Sequence, residues 1–422
     1  MPVDDYSELR IQLLNWISRF SFFSFLDNRG YELQQPSFEC LVAVGRKDFI
    51  ELNAGSAFKQ FHDFYMTHEG EWIFGHLGYD LKTECGGGIS TNFDGVGLSD
   101  LHFFVPEVVI ELGRNEMKIH AADAESVIRE IRACRKDIEQ PGPSPINIKS
   151  RITKEDYLGI IGHLKHHIQR GDCYEINFCQ EFFATDCRLD PISTYDRLSR
   201  LSPNPFSACY KINDKYCLCA SPERYLKKTG NKVISQPIKG TSRRDHANKA
   251  LDEMNRQYLL QSPKEKSENV MVVDLVRNDL GRVCVPGSVK VEELFGLYSF
   301  PQVHQMISTI TGELEDAADI PGILQATFPM GSMTGAPKIK VMQLIETYER
   351  TKRGLFSGAI GYIRPDGDFD FNVVIRSMFY NATEQYLSFQ AGSGITYYSE
   401  AEKEYEECLM KAEAMMKILK EE

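Results

Sequence analysis

A proline-rich segment, Gln140-Pro-Gly-Pro-Ser-Pro145, interrupts the chain after a charged helical stretch. Closely spaced prolines cannot continue a helix or a central strand, so this segment is the best candidate for a boundary in the chain. The 422 residues also far exceed the roughly 100–200 residues of a typical domain. We therefore predict two regions: residues 1–140, partly intertwined with the core, and residues 147–422.

Short apolar runs that are typical of strands occur together with helical patterns on both sides of this segment. Val108 to Leu112 is typical of a strand, and Thr153 precedes a helical spacing of apolar residues that ends at Gly171. In the second half we predict helices at about 245–260, 263–280, 337–349 and 400–419, and strands near 357–364, 370–379 and 386–391. This mixture indicates an α+β fold, in which large antiparallel sheets pack as a sandwich with flanking helices.

The net charge of −12 restricts the partners of the chain, because a general nucleic-acid or membrane-surface binder needs a basic face. The acidic start, Met1-Pro-Val-Asp-Asp5, is unlike a secretory or transit peptide. Eleven cysteines without a C-x-x-C pair indicate reduced thiols. We therefore expect a cytoplasmic protein without nucleic-acid or membrane partners, and a small anionic substrate is compatible with this composition.

Two pairs of glutamates are candidates for a metal site. Glu265 and Glu268 are three residues apart on one predicted helix, and Glu404 and Glu407 are three apart on another, so each pair shares a helix face. Two carboxylates about 5 Å apart repel by roughly 3 kcal/mol at an effective dielectric of 20, so four that converge favour a cation. Ligation by oxygen alone suits Mg²⁺. The alternatives are structural: a helix-capping box at Ser262-Pro-Lys-Glu265 and a surface ion pair between Glu407 and Lys411.

A glycine-rich segment and one arginine are candidates for binding an anion. Gly331-Ser-Met-Thr-Gly-Ala-Pro-Lys338 leads into a predicted helix, where backbone N–H groups can bind a carboxylate. It lacks the spacing of a phosphate-binding P-loop, and a plain glycine turn is the alternative. Arg376 lies in an apolar, strand-like run, which favours a bidentate carboxylate clamp over a structural ion pair. Gly392 and Gly394 would let backbone approach the same carboxylate closely.

Several motifs occur in a fixed order over roughly residues 150–415. They are Gly171-Asp-Cys-Tyr-Glu-Ile-Asn177, Ser221-Pro-Glu223, Gln236-Pro-Ile-Lys-Gly-Thr241, Ser267-Glu-Asn269, Asp274-Leu-Val-Arg-Asn-Asp-Leu-Gly-Arg282, Phe328-Pro-Met-Gly-Ser-Met-Thr-Gly-Ala-Pro-Lys338, Ile375-Arg376, Ala391-Gly-Ser-Gly394, and Glu404, Glu407 and Lys411. Together they resemble the chorismate-utilising family, which includes the component I chains of anthranilate and aminodeoxychorismate synthases and the isochorismate and salicylate synthases. The resemblance implies an anthranilate synthase component I-like fold, with residues 147–422 as the chorismate-binding catalytic domain.

The resemblance also implies roles for individual residues. Lys239 would attack carbon 2 of chorismate as the 4-hydroxyl leaves, Glu223 would act as the general acid, and His304 would lie beside the ring. Magnesium would lie between the helices that carry Glu265, Glu268, Glu404 and Glu407, with Glu268 and Glu407 as the best candidates for direct ligands. Substrate contacts would come from Gly240, Thr241, Ser332, Arg376, Gly392, Gly394 and Lys411.

Lys239 is the residue that separates the branches of this family, because anthranilate synthases usually carry alanine there. A lysine with an ordinary pKa is neutral only about one part in a thousand of the time at neutral pH, so nucleophilic attack costs roughly 4 kcal/mol unless the pKa falls. The branch with lysine aminates chorismate to 4-amino-4-deoxychorismate, on the route to 4-aminobenzoate and folate. Glu175 stands where the water-using members carry a lysine, and its role stays open.

The sequence contains no segment typical of a glutaminase, so the resemblance implies a separate glutaminase subunit that supplies ammonia. Two alternatives remain. One is anthranilate synthase component I, against which Lys239 argues. The other is a non-catalytic relative that binds chorismate, against which the retained Lys239, Glu223, His304 and glutamates argue.

Overall fold

The structure is a computed structural model that describes residues 1–31, 38–138, 146–316 and 318–420. The predicted boundary at Gln140–Pro145 lies outside the described residues. The α-helices are α1 (Tyr6–Ile17), α2 (Ala57–Thr67), α3 (Ala124–Arg132), α4 (Lys154–Gln169), α5 (Pro191–Leu201), α6 (Lys249–Gln261), α7 (Pro263–Leu280), α8 (Ile320–Thr327), α9 (Lys338–Tyr348) and α10 (Ala401–Lys420). Short 3₁₀ turns occupy Tyr79–Cys85 and Gly331–Met333.

The strands are β1 (Phe22–Asp27), β2 (Cys40–Val44), β3 (Asp48–Leu52), β4 (Ile73–Leu77), β5 (Leu101–Val105), β6 (Val108–Leu112), β7 (Met117–His120), β8 (Lys149–Ser150), β9 (Glu175–Ala184), β10 (Phe206–Ile212), β11 (Lys215–Ser221), β12 (Arg224–Thr229), β13 (Lys232–Gln236), β14 (Ile238–Arg243), β15 (Lys290–Ser299), β16 (Val303–Glu313), β17 (Gly335–Ala336), β18 (Ala359–Ile363), β19 (Phe369–Asn372), β20 (Ser377–Asn381) and β21 (Tyr386–Ile395).

These strands form two large sheets whose paired strands run antiparallel. The first sheet has the order β17-β9-β21-β20-β11-β10-β1-β2-β6-β7, with β8 beside β9. The second has the order β14-β16-β13-β12-β19-β18-β4-β5-β3, with β15 beside β16. The predicted α+β fold with large antiparallel sheets is confirmed. Each sheet contains strands from both sides of the proline-rich segment, since β1 pairs with β10 and β4 pairs with β18.

The first sheet is buried on both faces, because alternate residues of its strands enter two different apolar clusters. In β1, Phe22 and Leu26 join the cluster that also contains residues of the second sheet, whereas Phe23 and Phe25 join the cluster with α1, α4, α5 and α10. A strand covered on both faces carries a continuous apolar run rather than an alternating one. Helices thus cover the outer face of this sheet, and the second sheet covers its inner face.

Local signals set several helix starts as predicted. Thr153 and Ser262 are the N-caps of α4 and α7, and each side chain accepts a hydrogen bond from a backbone N–H in the first turn. The strand predicted near 370–379 is wrong, because the chain leaves the second sheet after β19 and enters the first sheet at β20. Arg376 lies in this crossover with a φ of 53°, rather than in a strand. In the part of the chain that the structure describes, no helix combines the length and apolar character needed to cross a membrane.

Candidate functional site

A cleft of about 890 Å³, partly open to solvent, lies where β14 and β21 approach α7 and α10. The 3₁₀ turn at Gly331–Met333 and the crossover between β19 and β20 also contribute to its wall. The residues predicted from the sequence that line it are Glu223, Lys239, Gly240, Thr241, Glu265, Glu268, Ser332, Arg376, Gly392, Gly394, Glu407 and Lys411. His304 and Glu404 are not part of this lining.

A β-bulge directs Lys239 into the cleft. The register between β14 and β16 shifts between Ile238 and Thr241, so Lys239 and Gly240 form the irregular part of the strand. Gly240 has a φ of 96°, and a Cβ there would lie 3.0 Å from Glu265 Oε2. The glycine therefore supplies both the backbone conformation and the space that the bulge needs.

Lys239 forms a short, buried ion pair with Glu175. Lys239 Nζ lies 2.5 Å from Glu175 Oε1, and the two side chains are 10% and 1% exposed. Burial favours the neutral amine, but the negative charges of Glu175 and Glu268 outweigh it and raise the pKa of Lys239 above its ordinary value. Gly394 makes the contact possible, because a Cβ there would lie 2.8 Å from Lys239 Nζ. In the state seen here, Lys239 is an ammonium.

Glu223 is a buried carboxyl between β11 and β12, with only 3% of its surface exposed. Its backbone N–H donates to Ser221 Oγ at 3.2 Å, and its carbonyl accepts from the Val373 N–H at 3.0 Å, so the turn is held on both sides. Burial raises the pKa of Glu223 to about 7, against smaller opposing effects of a hydrogen bond with Ser332 and of the charge of Lys239. The carboxyl can therefore hold a proton near neutral pH and release it, as a general acid must.

The carboxylates on α7 and α10 are arranged differently from the four-way convergence expected of them. The ammonium of Lys264 lies 3.0 Å from Glu404 Oε1 and 3.8 Å from Glu268 Oε1, so a lysine stands between the two helices. Lys411 pairs with Glu407 at 2.7 Å. Across residues 1–31, 38–138, 146–316 and 318–420, no three acidic, histidine or cysteine side chains group closely enough to form a preassembled metal site.

Two of these carboxylates nevertheless keep an oxygen whose hydrogen-bonding capacity is not used within the described residues. Glu268 Oε1 and Glu404 Oε2 are buried and accept no hydrogen bond from the described residues. Burial, with the repulsion of Glu175 and Glu265, raises the pKa of Glu268 to about 8 despite nearby Lys239. Burial likewise raises the pKa of Glu265, whereas Lys411 outweighs burial and lowers the pKa of Glu407. A buried acid with a raised pKa and an unpartnered oxygen fits a site that lacks a positive ligand.

Three groups in the cleft are suited to an anion. The Arg376 guanidinium forms no hydrogen bond or ion pair with the described residues, and burial lowers its pKa despite the nearby charge of Glu407. Lys411 Nζ donates to Gly392 O at 2.9 Å, which fixes its position at the cleft wall. Ser332 Oγ is buried at the cleft wall beside Glu223, whose pKa it lowers. A half-buried arginine without a hydrogen-bond partner among the described residues is suited to a bound carboxylate.

His304 lies on the opposite side of β16 from the cleft. Its Nε2 is 3.1 Å from Asp252 Oδ1 and its Nδ1 is 2.8 Å from Ser299 Oγ, so both ring nitrogens contact protein groups. The next residue, Gln305, lines the cleft, and its buried Oε1 has no hydrogen-bond partner within the described residues. Alternation along a strand gives neighbouring residues opposite faces, and the sequence does not say which of the two faces the cleft.

Sequence reasoning missed two groups with recognisable signals, Gln305 in the cleft wall and Lys264 between α7 and α10. Lys264 stands four residues before Glu268 on α7, the spacing of a helical ion pair. Gln305 adjoins His304, the residue selected from the same motif. Neither signal is specific without the structure.

The sequence matches one known protein family and several named relatives. The sequence model of a family described as chorismate binding enzyme matches residues 31–417. Aminodeoxychorismate synthase component 1 of Salmonella typhimurium is 37% identical over 294 residues, covering 70% of this chain and 64% of that protein, which is less than two thirds of its length. Anthranilate synthase component 1 of Saccharolobus solfataricus is 35% identical over 319 residues, covering 74% of this chain and 72% of that protein. Among solved structures, anthranilate synthase component I from Streptococcus pneumoniae TIGR4 matches with a TM-score of 0.79 at 26% identity, covering 92% of this chain and 94% of that one.

Proposed function

Because the chain belongs to the chorismate binding enzyme family, we propose that it aminates chorismate to 4-amino-4-deoxychorismate, on the route to 4-aminobenzoate and folate. The observation that carries this proposal is Lys239, which a β-bulge directs into the cleft. Overall identity does not separate the two synthase activities, since the relatives of each kind are 37% and 35% identical to the chain. A lysine at this position favours the aminodeoxychorismate branch.

The cleft is suited to a dicarboxylate such as chorismate. Arg376 offers a fork of donors without a protein partner in the described chain, and Lys411 adds a second cation on the α10 side. Ser332 Oγ offers a further donor from the 3₁₀ turn. Charge-assisted hydrogen bonds of this kind fix the orientation of a ring as well as binding it.

Lys239 and Glu223 divide the chemistry between a nucleophile and an acid. Lys239 would attack carbon 2 as the 4-hydroxyl leaves, and ammonia would then enter at carbon 4 and expel the lysine. Glu223 would protonate the departing hydroxyl, because its pKa of about 7 leaves a large fraction of the carboxyl protonated at neutral pH.

The carboxylates of α7 and α10 fit magnesium by their oxygen donors and by the Glu268 oxygen that accepts no hydrogen bond from the described residues. Glu268 and Glu407 would be the direct ligands, with Glu265 beside them. Glu404 is paired with Lys264 and would become a ligand only if that lysine moved away. When bound, magnesium would neutralise these charges and hold the ring carboxylate of the substrate. His304 would act on the substrate only if β16 or the His304 side chain moved. It is therefore the weakest of the three catalytic candidates.

A separate glutaminase subunit would supply the ammonia, in keeping with the component 1 designation of the relatives. The eleven cysteines are all free thiols, which supports a reducing compartment such as the cytoplasm. The runner-up activity is that of anthranilate synthase component I, which the Saccharolobus relative represents.

A product assay tests this proposal: the full chain, chorismate, magnesium and excess ammonium, with products resolved by chromatography. We expect 4-amino-4-deoxychorismate from the wild type, and a loss of about 10³-fold or more in rate for Lys239→Ala, because the covalent step is removed. Lys232→Ala is the matched control, since this lysine pairs with Glu292 on the surface.

Two other outcomes of this assay would indicate a different function. Anthranilate as the main product would move it to the other synthase branch and make Lys239 a misleading residue. Unchanged chorismate, with and without an added glutaminase subunit, would identify a protein that only binds chorismate.

A further inference from the structure

Lys264 places a positive charge between α7 and α10. Its ammonium lies 3.0 Å from Glu404 Oε1 and 3.8 Å from Glu268 Oε1. The side chains of these two carboxylates are 1% and 8% exposed, whereas the Lys264 side chain is 33% exposed. The lysine therefore enters a buried acidic pair from the surface, and a path back to solvent stays open to it.

The two carboxylates hold this ammonium in place against the preference of its own helix. Burial favours the neutral amine, but the negative charges of Glu268 and Glu404 outweigh it and raise the pKa of Lys264 above its ordinary value. Lys264 is the second residue of α7, and the free N–H groups in the first turn of a helix disfavour a cation. The lysine is thus a charged group whose position depends on Glu268 and Glu404.

The other lysines of the cleft are engaged elsewhere. Lys239 Nζ lies 2.5 Å from Glu175 Oε1, and Lys411 pairs with Glu407 at 2.7 Å. In the part of the chain that the structure describes, Lys264 is the one lysine whose ion pairs join α7 to α10. It occupies the place between these helices that a metal ion would take.

We propose that Lys264 is a built-in competitor of magnesium, which holds Glu268 and Glu404 together in the metal-free protein and gives way when the metal binds. This inference rests on the magnesium site of the proposed function. A divalent ion bound to Glu268 would meet the ammonium at short range, because Lys264 Nζ is already 3.8 Å from Glu268 Oε1. Like charges repel strongly where water is excluded, so the lysine lowers the affinity for magnesium.

A purely orienting role of Lys264 makes the opposite prediction. If the lysine only held Glu404 in the right position for the metal, its removal would weaken magnesium binding. If the lysine competes with the metal, its removal strengthens magnesium binding. The sign of the change in affinity therefore distinguishes the two roles.

Calorimetric titration of magnesium into the full chain, without chorismate, measures this affinity directly. We expect Lys264→Met to bind magnesium at least about tenfold more tightly than the wild type, because the competing charge is gone. Lys264→Arg keeps a cation at this position and should stay within about threefold of the wild type. In melting curves, Lys264→Met should be less stable than the wild type without magnesium and should gain more stability from the same magnesium concentration.

Lys403→Met is the matched control. Lys403 lies on α10 and pairs with Glu400 at the surface, 2.7 Å away, so its loss removes one positive charge without releasing Glu268 or Glu404. Its magnesium affinity should stay within about threefold of the wild type, since exposed ion pairs contribute little. Lys264→Gln loses the charge but can still donate a hydrogen bond to Glu404. It should bind magnesium more tightly as well, and it carries the test if Lys264→Met fails to fold.

Two results would overturn the inference. One is a magnesium affinity of the neutral Lys264 variants that is weaker than that of the wild type or within about threefold of it. The other is an equal gain in Lys403→Met, which would reflect net charge alone. Failure of the proposed function looks different. Absence of magnesium binding in every protein would overturn the metal site together with this inference, whereas a wild type that forms no amino product but binds magnesium as expected would overturn the amination alone.

Discussion

Two buried charge networks that contact strand β9 differ in how completely their groups are paired. In one network, Arg353 donates to both oxygens of Glu349, at 3.0 and 2.7 Å, and to the carbonyls of Met333 and Asn177, each at 2.7 Å. Glu349 also accepts the Cys179 N–H at 2.9 Å. In the other network, Glu175 Oε2 and Glu268 Oε1 accept no hydrogen bond from the described residues, although Glu268 Oε1 lies 3.8 Å from the Lys264 ammonium.

The two networks differ in how far hydrogen bonds satisfy their charges. Buried charges normally persist only when hydrogen bonds satisfy them, and the Arg353 network meets this condition within the protein itself. Glu175 and Glu268 do not meet it fully among the described residues. Completeness of pairing, rather than burial, therefore distinguishes the two networks, since both ion pairs are almost fully excluded from solvent.

The largest effect is expected in the fully paired network of Arg353 and Glu349. Arg353→Met should destabilise the fold by about 3–5 kcal/mol, because Glu349 would be left as an unpaired buried charge. Thermal and denaturant unfolding would measure this loss. The double variant Arg353→Met with Glu349→Leu should recover most of it, whereas Arg364→Met, which removes a partly exposed arginine, should cost under about 1 kcal/mol. An Arg353→Met protein as stable as the wild type would contradict the comparison between the two networks.

A smaller effect is expected from the unpaired arginine of the cleft. Arg376→Ala should raise KM for chorismate about 10- to 100-fold, the equivalent of the roughly 1.5–3 kcal/mol of a hydrogen bond to a charged group. Its melting temperature should hardly change, because Arg376 has no hydrogen bond or ion pair to lose within the described residues. Arg243→Ala, which removes a surface partner of Glu413, is the control for both measurements. A large loss of stability with an unchanged KM would instead give Arg376 a structural role.

The smallest effect concerns Glu268 and depends on pH. Its pKa rises from the ordinary 4.5 to about 8 on folding, mainly through burial, so its contribution to stability is complete below pH 4.5 and is lost as the pH rises through about 8. Without magnesium, Glu268→Gln should match the wild type near pH 5 and exceed it at pH 9 by about 1–3 kcal/mol. Melting curves at both pH values would measure the difference. Magnesium should stabilise the wild type at pH 9 more than the variant, and an equal response of both would argue against Glu268 as a ligand.

Features set by neighbouring residues could be predicted from the sequence. Ser262 caps α7 as its capping box predicts, and the spacing of Glu265 and Glu268 places both on the cleft side of that helix. Lys239 was selected as the discriminating residue from a motif of six residues, and it lines the cleft. In each case the determining interactions lie within a few positions along the chain.

Other features depend on pairing between distant segments. The sequence shows an apolar run near Arg376, but it does not show that this run crosses from one sheet to the other. Strands of both sheets carry buried apolar residues, so the residue types do not reveal which sheet a segment joins. It shows His304 and Gln305 side by side, and only the register of β16 turns Gln305 to the cleft.

The sequence by itself determined the α+β class, the caps of α4 and α7 and most of the predicted residues that line the cleft, because local spacing and short motifs suffice for these. Only the tertiary structure decided which charges meet. Glu175 and Lys239 are 64 positions apart, and Lys264 and Glu404 are 140 apart, yet each pair is in contact. Such contacts follow from sheet register and helix packing, which no short stretch of sequence encodes.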